Sequence, residues 1–303
     1  VLASVGVAVA SSGMTTAGLL RDADIAMYEA KRAGKSQIKI FDPAMRLSAT
    51  KHLEFRSDLA SAIEQDQLRL VYQPVIDLKR HCVVGAEALL RWDHPTRGPV
   101  SPSEFLPIAE RAGLIVPIGK WVVDHAISAA SGWQATGPQQ LSINVSPAQI
   151  RSSDFVGQIR ESIARHGIDP HRITLEITET TFVDEIDSGS PSLAELRALG
   201  VLIALDDFGT GYCSLSYLQR FPVDVLKIDR QFIGELDTDP HRATLAEMIL
   251  QLASGLDVVS VAEGIERCAQ LEILRTLGCD LGQGFLLCEP LEASALERRF
   301  GVA

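Results

Sequence analysis

Residues 68–92 read LRLVYQPVIDLKRHCVVGAEALLRW and contain two apolar, β-branched runs, at 68–73 and 83–90. Such runs predict β-strands. About nine residues separate the two runs, whereas a parallel pair needs a crossover connection of a dozen residues or more. The stretch therefore predicts two neighbouring strands that run antiparallel.

Six further apolar runs follow, and helical patterns separate most of them. The strand-like runs lie at 141–145, 172–178, 201–206, 224–228, 258–262 and 281–287. The helical patterns lie at 102–115, 117–133, 153–166, 192–199, 214–220, 241–256 and 267–277. Strands that alternate with helices are typical of a (β/α)₈ barrel. The sequence therefore predicts an α/β fold, a modified TIM (β/α)8-type barrel with an antiparallel first strand pair.

The first 43 residues form a separate β-α-β pattern. Ser4–Ala10 and Ile38–Phe41 are apolar runs typical of strands, and residues 20–30 have helical spacing. A unit of this size cannot build an adequate core alone, and the chain begins without Met, so we expect a fragment of a longer protein. We predict three segments: the end of a preceding domain at 1–43, a linker helix at 44–64 and the barrel at 65–303.

Charge and cysteine content narrow the class of protein. The formal net charge of −11 argues against a general binder of DNA, RNA polymers or membrane surfaces, because such proteins present basic patches. Five scattered cysteines without a C-x-x-C pair favour reduced thiols. No apolar run reaches the ~18 residues of a membrane span. We expect a cytoplasmic chain, whose parent protein can carry sensor or membrane domains upstream.

Polar residues end or follow seven of the eight barrel runs. In a barrel of this class the functional side chains gather at the carboxyl ends of the strands. One acid after a strand is more often a loop residue or a helix cap, but seven such positions together predict one polar site. The residues are Glu87, Asn144, Glu176, the pair Asp206 and Asp207, Lys227, Glu263 and Gln283.

The composition of this set predicts a metal site. Oxygen ligands without His or Cys suit Mg²⁺ or Mn²⁺ rather than zinc. Asp206 and Asp207 could bridge two ions ~3.5–4 Å apart, the arrangement used for phosphodiester hydrolysis, and Lys227 could orient the attacking water. Taken singly, the two aspartates are equally typical of a helix cap, and Lys227 of a salt bridge. Arg91 could pair with a phosphate or form a surface ion pair, and Gln73 offers an amide for substrate.

Eight motifs, in order over about residues 60–300, resemble those of the EAL-domain cyclic-di-GMP phosphodiesterases. The motifs are Tyr72-Gln73-Pro74, Glu87-Ala88-Leu89-Leu90-Arg91-Trp92, Asn144-Val145-Ser146, Glu176-Ile177-Thr178-Glu179, Asp206-Asp207-Phe208-Gly209-Thr210-Gly211, Lys227-Ile228-Asp229, Ala262-Glu263-Gly264-Ile265-Glu266 and Gln283-Gly284-Phe285. The resemblance implies a barrel with an antiparallel first pair, in agreement with the short link at 74–82.

The resemblance also implies a role for each residue. The implied ligands of a first Mg²⁺ or Mn²⁺ are Glu87, Asn144, Glu176 and Asp206, and those of a second are Asp206, Asp207 and Glu263, the last directly or through water. Lys227 resembles the lysine that contacts the nucleophilic water, and Glu263 the acid once proposed as general base. The implied substrate contacts are Gln73, Arg91, Asn144 and Gln283, and the implied loop-positioning residues are Glu179 and Glu266.

The function implied by the resemblance is hydrolysis of cyclic di-GMP to linear pGpG by water activated between two metal ions. The family also implies a homodimer through the barrel. Residues 1–41 resemble the end of a GGDEF diguanylate-cyclase domain, through Ser4-Val5-Gly6-Val7-Ala8 and the helix that follows. The loop that names that family is absent from these residues, so we expect no cyclase activity from this chain.

The sequence departs from the family pattern in three places. Cys213 stands where Ser is usual, Arg267 where Thr is common, and Leu287-Cys288-Glu289 replaces a more polar or aromatic ending. These changes bear on loop motion and substrate affinity.

Two other functions stay open. A catalytically weak domain that binds cyclic di-GMP as a receptor is one alternative. An unrelated barrel lyase with a Schiff base at Lys227 is the other.

Overall fold

The computed structural model describes residues 3–10, 13–32, 36–133, 137–209, 215–221 and 223–300. The chain forms two compact units, Val1–Gln65 and Asp66–Ala303. The larger unit carries all the polar residues predicted for the site. None of the described helices is both long enough and apolar enough to cross a bilayer.

The smaller unit has the β-α-β order that its pattern predicts. Its elements are β1 (Val5–Val7), α1 (Thr16–Arg32), β2 (Ile38–Ile40) and α2 (Pro43–Ser61). The two strands pair in parallel. Gly6 permits close packing of β1 on α1, because a Cβ there would lie 2.1 Å from the carbonyl oxygen of Ala23. Asp42 begins α2, since its carboxylate accepts a hydrogen bond of 2.7 Å from the Ala44 N–H.

Among the described residues, eight strands of the larger unit close into a barrel, and β5 extends one of them as a hairpin. The strands are β3 (Leu68–Asp77), β4 (Cys82–His94), β5 (Gly98–Val100), β6 (Gln140–Asn144), β7 (Ile173–Thr178), β8 (Leu202–Phe208), β9 (Val225–Ile228), β10 (Val259–Ala262) and β11 (Leu281–Gly282). The order around the barrel is β3-β11-β10-β9-β8-β7-β6-β4, and the pairing of β3 with β4 closes it. The predicted α/β barrel is confirmed.

The first strand runs against both of its neighbours. β3 pairs antiparallel with β4, from Leu68 opposite Trp92 to Asp77 opposite Cys82, and antiparallel with β11. The other neighbouring strands of the closed barrel pair in parallel. The short link between the first two runs therefore predicts the antiparallel pairing of β3 with β4 correctly, and the structure adds that β3 is the inverted strand.

Helices occupy most of the connections between the strands. They are α3 (Pro102–Ala112), α4 (Ile115–Ser131), α5 (Pro147–Ile150), α6 (Phe155–His166), α7 (Glu179–Ser188), α8 (Ser192–Ala198), α9 (Leu215–Arg220), α10 (Arg230–Ile233), α11 (Pro240–Gly255), α12 (Cys268–Thr276) and α13 (Ala293–Phe300). Gly113 and Gly167 end α3 and α6 in the left-handed conformation, which glycine adopts without steric cost. The strands are buried on both faces, as in β7, where every residue but the last is buried.

Three strand predictions need correction, and the first is the run at 68–73, which continues as β3 to Asp77 because it stays paired with β4. The run at 281–287 forms a strand only at Leu281–Gly282, because the chain then turns around Ile265. The Ile265 N–H donates to the carbonyl oxygen of Gln283 (3.1 Å), and the Leu286 N–H donates to that of Ile265 (3.0 Å). The run at 83–90 instead continues as a strand to His94, because β5 pairs with its far end.

Candidate active site

The residues predicted for one site meet at one end of the barrel. Gln73 pairs in register with Glu87 across β3 and β4, and Asn144 with Glu176 across β6 and β7. The neighbouring strands β8, β9 and β10 supply the remaining acids and the lysine. Strand pairing therefore brings together side chains that are far apart in the sequence.

The ammonium of Lys227 is the centre of this group. Its Nζ lies 2.5 Å from Glu176 Oε2, 2.6 Å from Glu263 Oε1, 3.4 Å from Asp206 Oδ1 and 3.6 Å from Glu87 Oε2. Lys227, Glu176 and Glu87 are buried. Four carboxylates thus share one cation, which leaves a formal charge of −3 when all are ionised. We call these five side chains the lysine cluster.

Three amides surround Glu87. Its Oε1 accepts a hydrogen bond from Asn144 Nδ2 (2.6 Å), and its Oε2 accepts one from Gln283 Nε2 (2.7 Å). Gln283 Nε2 also donates to Gln73 Oε1 at 2.9 Å. The Oε1 atom of Gln283 is buried and accepts no hydrogen bond within the described part of the chain. The hydrogen bonds from Asn144 and Gln283 therefore fix the Glu87 carboxylate, and the Oε1 atom of Gln283 remains a buried acceptor without a donor among the described residues.

Burial and repulsion raise the pKa values of two acids in the lysine cluster. The pKa of Glu176 is raised well above its usual value, first by burial and then by the charge of Glu87. Burial raises the pKa of Glu263 to about 7, although the charge of Lys227 opposes the rise. Without further cations, part of this cluster holds protons near neutral pH.

For Lys227 and Glu87, the neighbouring charges and hydrogen bonds outweigh the effect of burial on the pKa, so both groups stay charged. Burial would lower the pKa of Lys227, but the surrounding carboxylates outweigh it and raise that pKa well above its usual value. Burial would raise the pKa of Glu87, but the charge of Lys227 and the hydrogen bonds from Gln283 and Asn144 lower it. Lys227 and Glu87 therefore carry opposite charges 3.6 Å apart within the lysine cluster.

A bulge in β8 lies at two adjacent acids, Asp206 and Asp207. The pairing of β8 with β9 shifts register between Leu205 and Phe208, and Asp207 has a φ of 54°, a conformation that aspartate tolerates better than most residues. A regular strand would send neighbouring side chains to opposite faces. Instead, burial and then the charge of Asp206 raise the pKa of Asp207 to about 6. Both acids therefore act in the same electrostatic environment.

The donor set fits hard divalent cations. The predicted ligands offer only oxygen, from carboxylates and one amide, which is the chemistry that Mg²⁺ and Mn²⁺ prefer. The described residues contain no group of three His, Cys, Asp or Glu side chains already arranged around one metal position, and the carboxylates converge on Lys227 instead. The surplus negative charge and the raised pKa values of Glu176 and Glu263 are what bound cations would relieve.

Glu179 contacts the chain just after the β8 acids. It is buried at the start of α7, and its Oε2 accepts a hydrogen bond of 3.1 Å from the Gly209 N–H. Gly209 has a φ of 93°, and a Cβ there would lie 2.9 Å from the ring of Phe232. The predicted loop residues from Thr210 to Tyr212, and the departure at Cys213, lie outside the described residues. Loop tethering by Glu179 stays a prediction.

Glu266 lies in a loop that Gln270 anchors. The side chain of Gln270 is fully buried, and its Oε1 accepts hydrogen bonds from the N–H groups of Glu266 (2.9 Å) and Arg267 (2.8 Å). Its Nε2 donates to the carbonyl oxygen of Ile233 at 2.9 Å. Arg267 pairs with Asp237 through its Nε atom at 2.9 Å. The loops after β9 and β10 are therefore tied together, a connection that the sequence pattern did not reveal.

A cleft of about 280 Å³ opens over the lysine cluster. Gln73, Gln283 and Glu266 line it beside the charged residues. Arg230 and the exposed ring of Phe285 also line it, and neither had a predicted role. Arg230 follows β9 closely in the sequence, and Phe285 ends the motif Gln283-Gly284-Phe285, so position and motif were the signals that could have identified them.

Arg91 lies in a neighbouring cavity rather than in this cleft. That cavity, of about 300 Å³, is mainly apolar, and Arg91 lines it together with Leu89, Asn144 and Gln149. Burial lowers the pKa of the Arg91 guanidinium. Leu89 and the Asn144–Glu87 contact separate the two spaces, so a substrate contact by Arg91 stays a prediction.

Comparisons with known proteins identify the barrel. The family described as the EAL domain matches residues 56–290. The bifunctional diguanylate cyclase/cyclic di-GMP phosphodiesterase MucR of Pseudomonas aeruginosa is 42% identical over 297 residues, 97% of this chain and 43% of MucR. The cyclic di-GMP phosphodiesterase NbdA of the same species is 36% identical over 298 residues, 97% of this chain and 38% of NbdA. The chain thus spans less than half the length of either relative.

Solved structures agree with these relatives. The PaMucR phosphodiesterase in complex with c-di-GMP has a TM-score of 0.77 and 43% identity, over 80% of this chain and 99% of that one. The cGMP-bound form of the EAL enzyme Bd1971 has a TM-score of 0.80 and 30% identity, over 95% of this chain and 76% of that one. Together with the inverted first strand and the lysine cluster, these likenesses show that the chain belongs to the EAL domain family.

Proposed function

We propose that this chain hydrolyses cyclic di-GMP to linear pGpG with divalent cations, as part of bacterial second-messenger signalling. The observation that carries the proposal is the convergence of Glu87, Glu176, Asp206 and Glu263 on Lys227 at one end of the barrel. MucR and NbdA are named as cyclic di-GMP phosphodiesterases, and PaMucR has been solved with c-di-GMP. Site and relatives support the same substrate.

Two Mg²⁺ or Mn²⁺ ions fit the acidic end of the barrel. Bound there, they would supply an acidified water and neutralise charge on the substrate phosphate. The proposed ligands are Glu87, Asn144, Glu176 and Asp206 for one ion, and Asp206, Asp207 and Glu263 for the other. The exclusive use of oxygen donors and the surplus negative charge support this assignment.

Lys227 and Glu263 would manage charge and protons during the reaction. The buried ammonium stays protonated, so it can orient the attacking water and stabilise negative charge at phosphorus. The water forms a bond to phosphorus in line with the bond that breaks, and the 3′ oxygen leaves. Glu263, 2.6 Å from Lys227 Nζ, would hold the second ion directly or through water, and water acidified by the ions needs no separate general base.

Amides and one guanidinium would hold the substrate. Gln73 and Gln283 line the cleft floor, and Asn144 lies between this cleft and the Arg91 cavity. Arg91 would supply local positive charge for a phosphate oxygen if the substrate extends into that cavity. An acidic chain can therefore bind an anionic dinucleotide, since the positive charge is local.

A second candidate function is binding of cyclic di-GMP without cleavage. The observation that favours it is the close contact of Glu176 and Glu263 with Lys227, which neutralises part of the acidic charge within the chain itself. In a receptor, Lys227 would keep these partners when the nucleotide is bound. Binding without formation of pGpG would distinguish this function from hydrolysis.

The smaller unit fits a tandem arrangement. We assign residues 1–43 to the end of a GGDEF-like domain and residues 44–64 to a linker helix, with the phosphodiesterase barrel at 65–303. The parallel β1–β2 pair and its helix support the assignment, as does MucR, which is named for both activities. A homodimer through the barrel and a cytoplasmic location are further proposals from the family, and light scattering tests the first.

The decisive experiment incubates the purified chain with cyclic di-GMP and separates the products by chromatography. We expect pGpG with Mg²⁺ or Mn²⁺ and no product with EDTA. The Glu87→Ala variant should abolish turnover, whereas Glu161→Ala, which removes an exposed partner of Arg165, should leave it unchanged. Turnover by the Glu87→Ala variant at the wild-type rate would refute the site. Binding without product would favour the receptor.

A further inference from the structure

The turn that follows Asn144 is held by a reciprocal cap. Ser146 begins α5, and both its N–H and its hydroxyl donate to Gln149 Oε1 at 3.0 Å. The Gln149 N–H donates in return to the Ser146 hydroxyl at 3.3 Å. Such a capping box satisfies backbone groups at a helix start and fixes the entry of the chain. Gln149 therefore sets the backbone two residues beyond Asn144.

Gln149 can occupy this position because residue 119 is glycine. A Cβ at Gly119, the fifth residue of α4, would lie 2.0 Å from Gln149 Nε2 and 2.2 Å from its Cδ. Glycine inside a helix costs about 1 kcal/mol relative to alanine, so its presence calls for a structural reason. That reason is the carboxamide of Gln149, which packs directly against the α4 backbone.

The capped turn lies between two acids of the lysine cluster. Asn144 donates to Glu87 at 2.6 Å, and the neighbouring Val145 N–H donates to the carbonyl oxygen of Glu176 at 2.9 Å. A shift of the turn would therefore move the amide that orients Glu87. It would also disturb the backbone beside Glu176.

We propose that Gly119 and Gln149 are positioning residues for the active site, and that they act through Ser146 on Asn144 and thereby on Glu87. This inference rests on the proposed function, in which Asn144 and Glu87 hold a divalent cation. Neither Gly119 nor Gln149 needs to contact that cation. Their effect is to keep the Asn144 amide at hydrogen-bonding distance from Glu87.

A purely structural role for Gly119 makes a different prediction. The atoms that a Cβ would meet belong to the end of a side chain, which can rotate away, and alanine favours the helix. The Gly119→Ala variant should therefore fold normally while Gln149 leaves its position. If Gly119 served folding alone, the substitution would lower the melting temperature and leave the active molecules unchanged.

The test is a double-mutant cycle on the full chain. Its variants are Gly119→Ala, Gln149→Leu and the double variant, and its readouts are calorimetric binding of Mn²⁺ without substrate, kcat and KM for cyclic di-GMP, and melting temperature. We expect each single variant to lose about tenfold in Mn²⁺ affinity and in kcat, as for residues behind a metal ligand. The double variant should be no worse than Gln149→Leu, because the two residues act in series.

Two further variants sharpen the cycle. Gln149→Glu keeps the acceptor for Ser146 and should recover most of the Mn²⁺ affinity that Gln149→Leu loses. Gly132→Ala, at the end of the same helix, places a Cβ 3.5 Å from the Ala129 carbonyl oxygen, an ordinary contact, and should behave as wild type.

Three outcomes would overturn the inference: additive losses in the double variant, wild-type Mn²⁺ affinity of Gly119→Ala, or equal affinities of Gln149→Glu and Gln149→Leu. A wild-type chain that binds Mn²⁺ but forms no pGpG would refute only the proposed hydrolysis, because the Mn²⁺ titration still measures the coupling. A wild-type chain that binds no Mn²⁺ refutes both.

Discussion

Two clusters of charge in this barrel have opposite ratios of acids to donors. In the lysine cluster, four carboxylates share the ammonium of Lys227. Between α4 and α6, one carboxylate has three donors: Asp124 Oδ1 accepts from Ser162 Oγ (3.0 Å), Arg165 Nη1 (2.7 Å) and His166 Nε2 (3.1 Å). Burial would raise the pKa of Asp124, but the hydrogen bonds from His166 and Ser162 lower it.

The ratio of acids to donors distinguishes a cluster that can bind a ligand from one that only holds two helices together. Excess donors keep an acid ionised, so the Asp124 carboxylate joins two helices without repulsion from other acids. Excess acids repel one another and raise each other's pKa, which is costly unless a cation or a substrate enters. The unbalanced cluster is therefore the one that we expect to carry function.

Replacing Lys227, whose ammonium the four carboxylates share, should have the largest effect on stability and turnover. The Lys227→Met variant leaves buried acids without a partner, which costs about 3–5 kcal/mol in the free energy of unfolding at pH 8. Part of this loss should return at pH 5, where the acids take up protons. Turnover should fall at least about 100-fold. Denaturant titrations at both pH values test the change, with Lys79→Met, at an exposed ion pair with Asp280, as control. Unchanged stability at pH 8 would contradict the cluster.

The Glu263→Gln variant should give a smaller effect with a definite sign. The pKa of Glu263 is raised from 4.5 to about 7 in the folded chain, so the folded state holds a proton that the unfolded state releases between these values. The free energy of unfolding of wild type therefore falls as pH rises through this window. Relative to wild type, the variant should gain about 1–3 kcal/mol between pH 5 and pH 8, measured in EDTA.

Turnover separates this effect from stability. The same variant should lose about 100-fold in kcat if Glu263 transfers a proton or holds a cation. Glu161→Gln on α6 serves as control for both measurements. A relative stability that falls with rising pH would have the wrong sign and would contradict the raised pKa of Glu263.

The Asp124→Asn variant should give the smallest effect, with the opposite pH dependence. A lowered pKa means that the carboxylate stabilises the fold above the unfolded value of about 3.9 and that this contribution is lost as pH falls through the folded value. Because the Asp124 side chain is 34% exposed, we expect only about 0.5–1 kcal/mol at pH 7, and a progressively smaller contribution as pH falls below the unfolded value. Turnover should not change. Asp184→Asn, at an exposed carboxylate 4.0 Å from Arg151, is the control.

The link lengths and apolar runs predicted most of the barrel. A short link can only join antiparallel strands, so the antiparallel pairing of β3 with β4 could be predicted from the sequence alone. The run at 281–287 shows where local pattern fails. Its apolar residues read as a strand, yet a Cβ at Gly284 would lie 2.2 Å from the Ile265 backbone nitrogen, and this close contact accompanies the turn. Packing between distant segments decides that conformation.

The same limit separates the site residues that the sequence predicts from those that it does not. Glu87, Glu176 and Lys227 could be predicted because topology alone brings strand residues to one end of a barrel. Gln270 and the contact of Gly119 with Gln149 could not, since each depends on the distance between segments that fold together. The spacing of Ser146 and Gln149 was the one available signal, and it indicates only a helix start.

The bulge at Asp207 has a consequence for protein engineering. Copying the two neighbouring aspartates into the strand of another barrel would point one inward and one outward, so the acceptor would receive half of the pair. The irregular backbone has to be grafted together with the side chains. Transfer of the motif therefore requires the irregular strand pairing as well as Asp206 and Asp207.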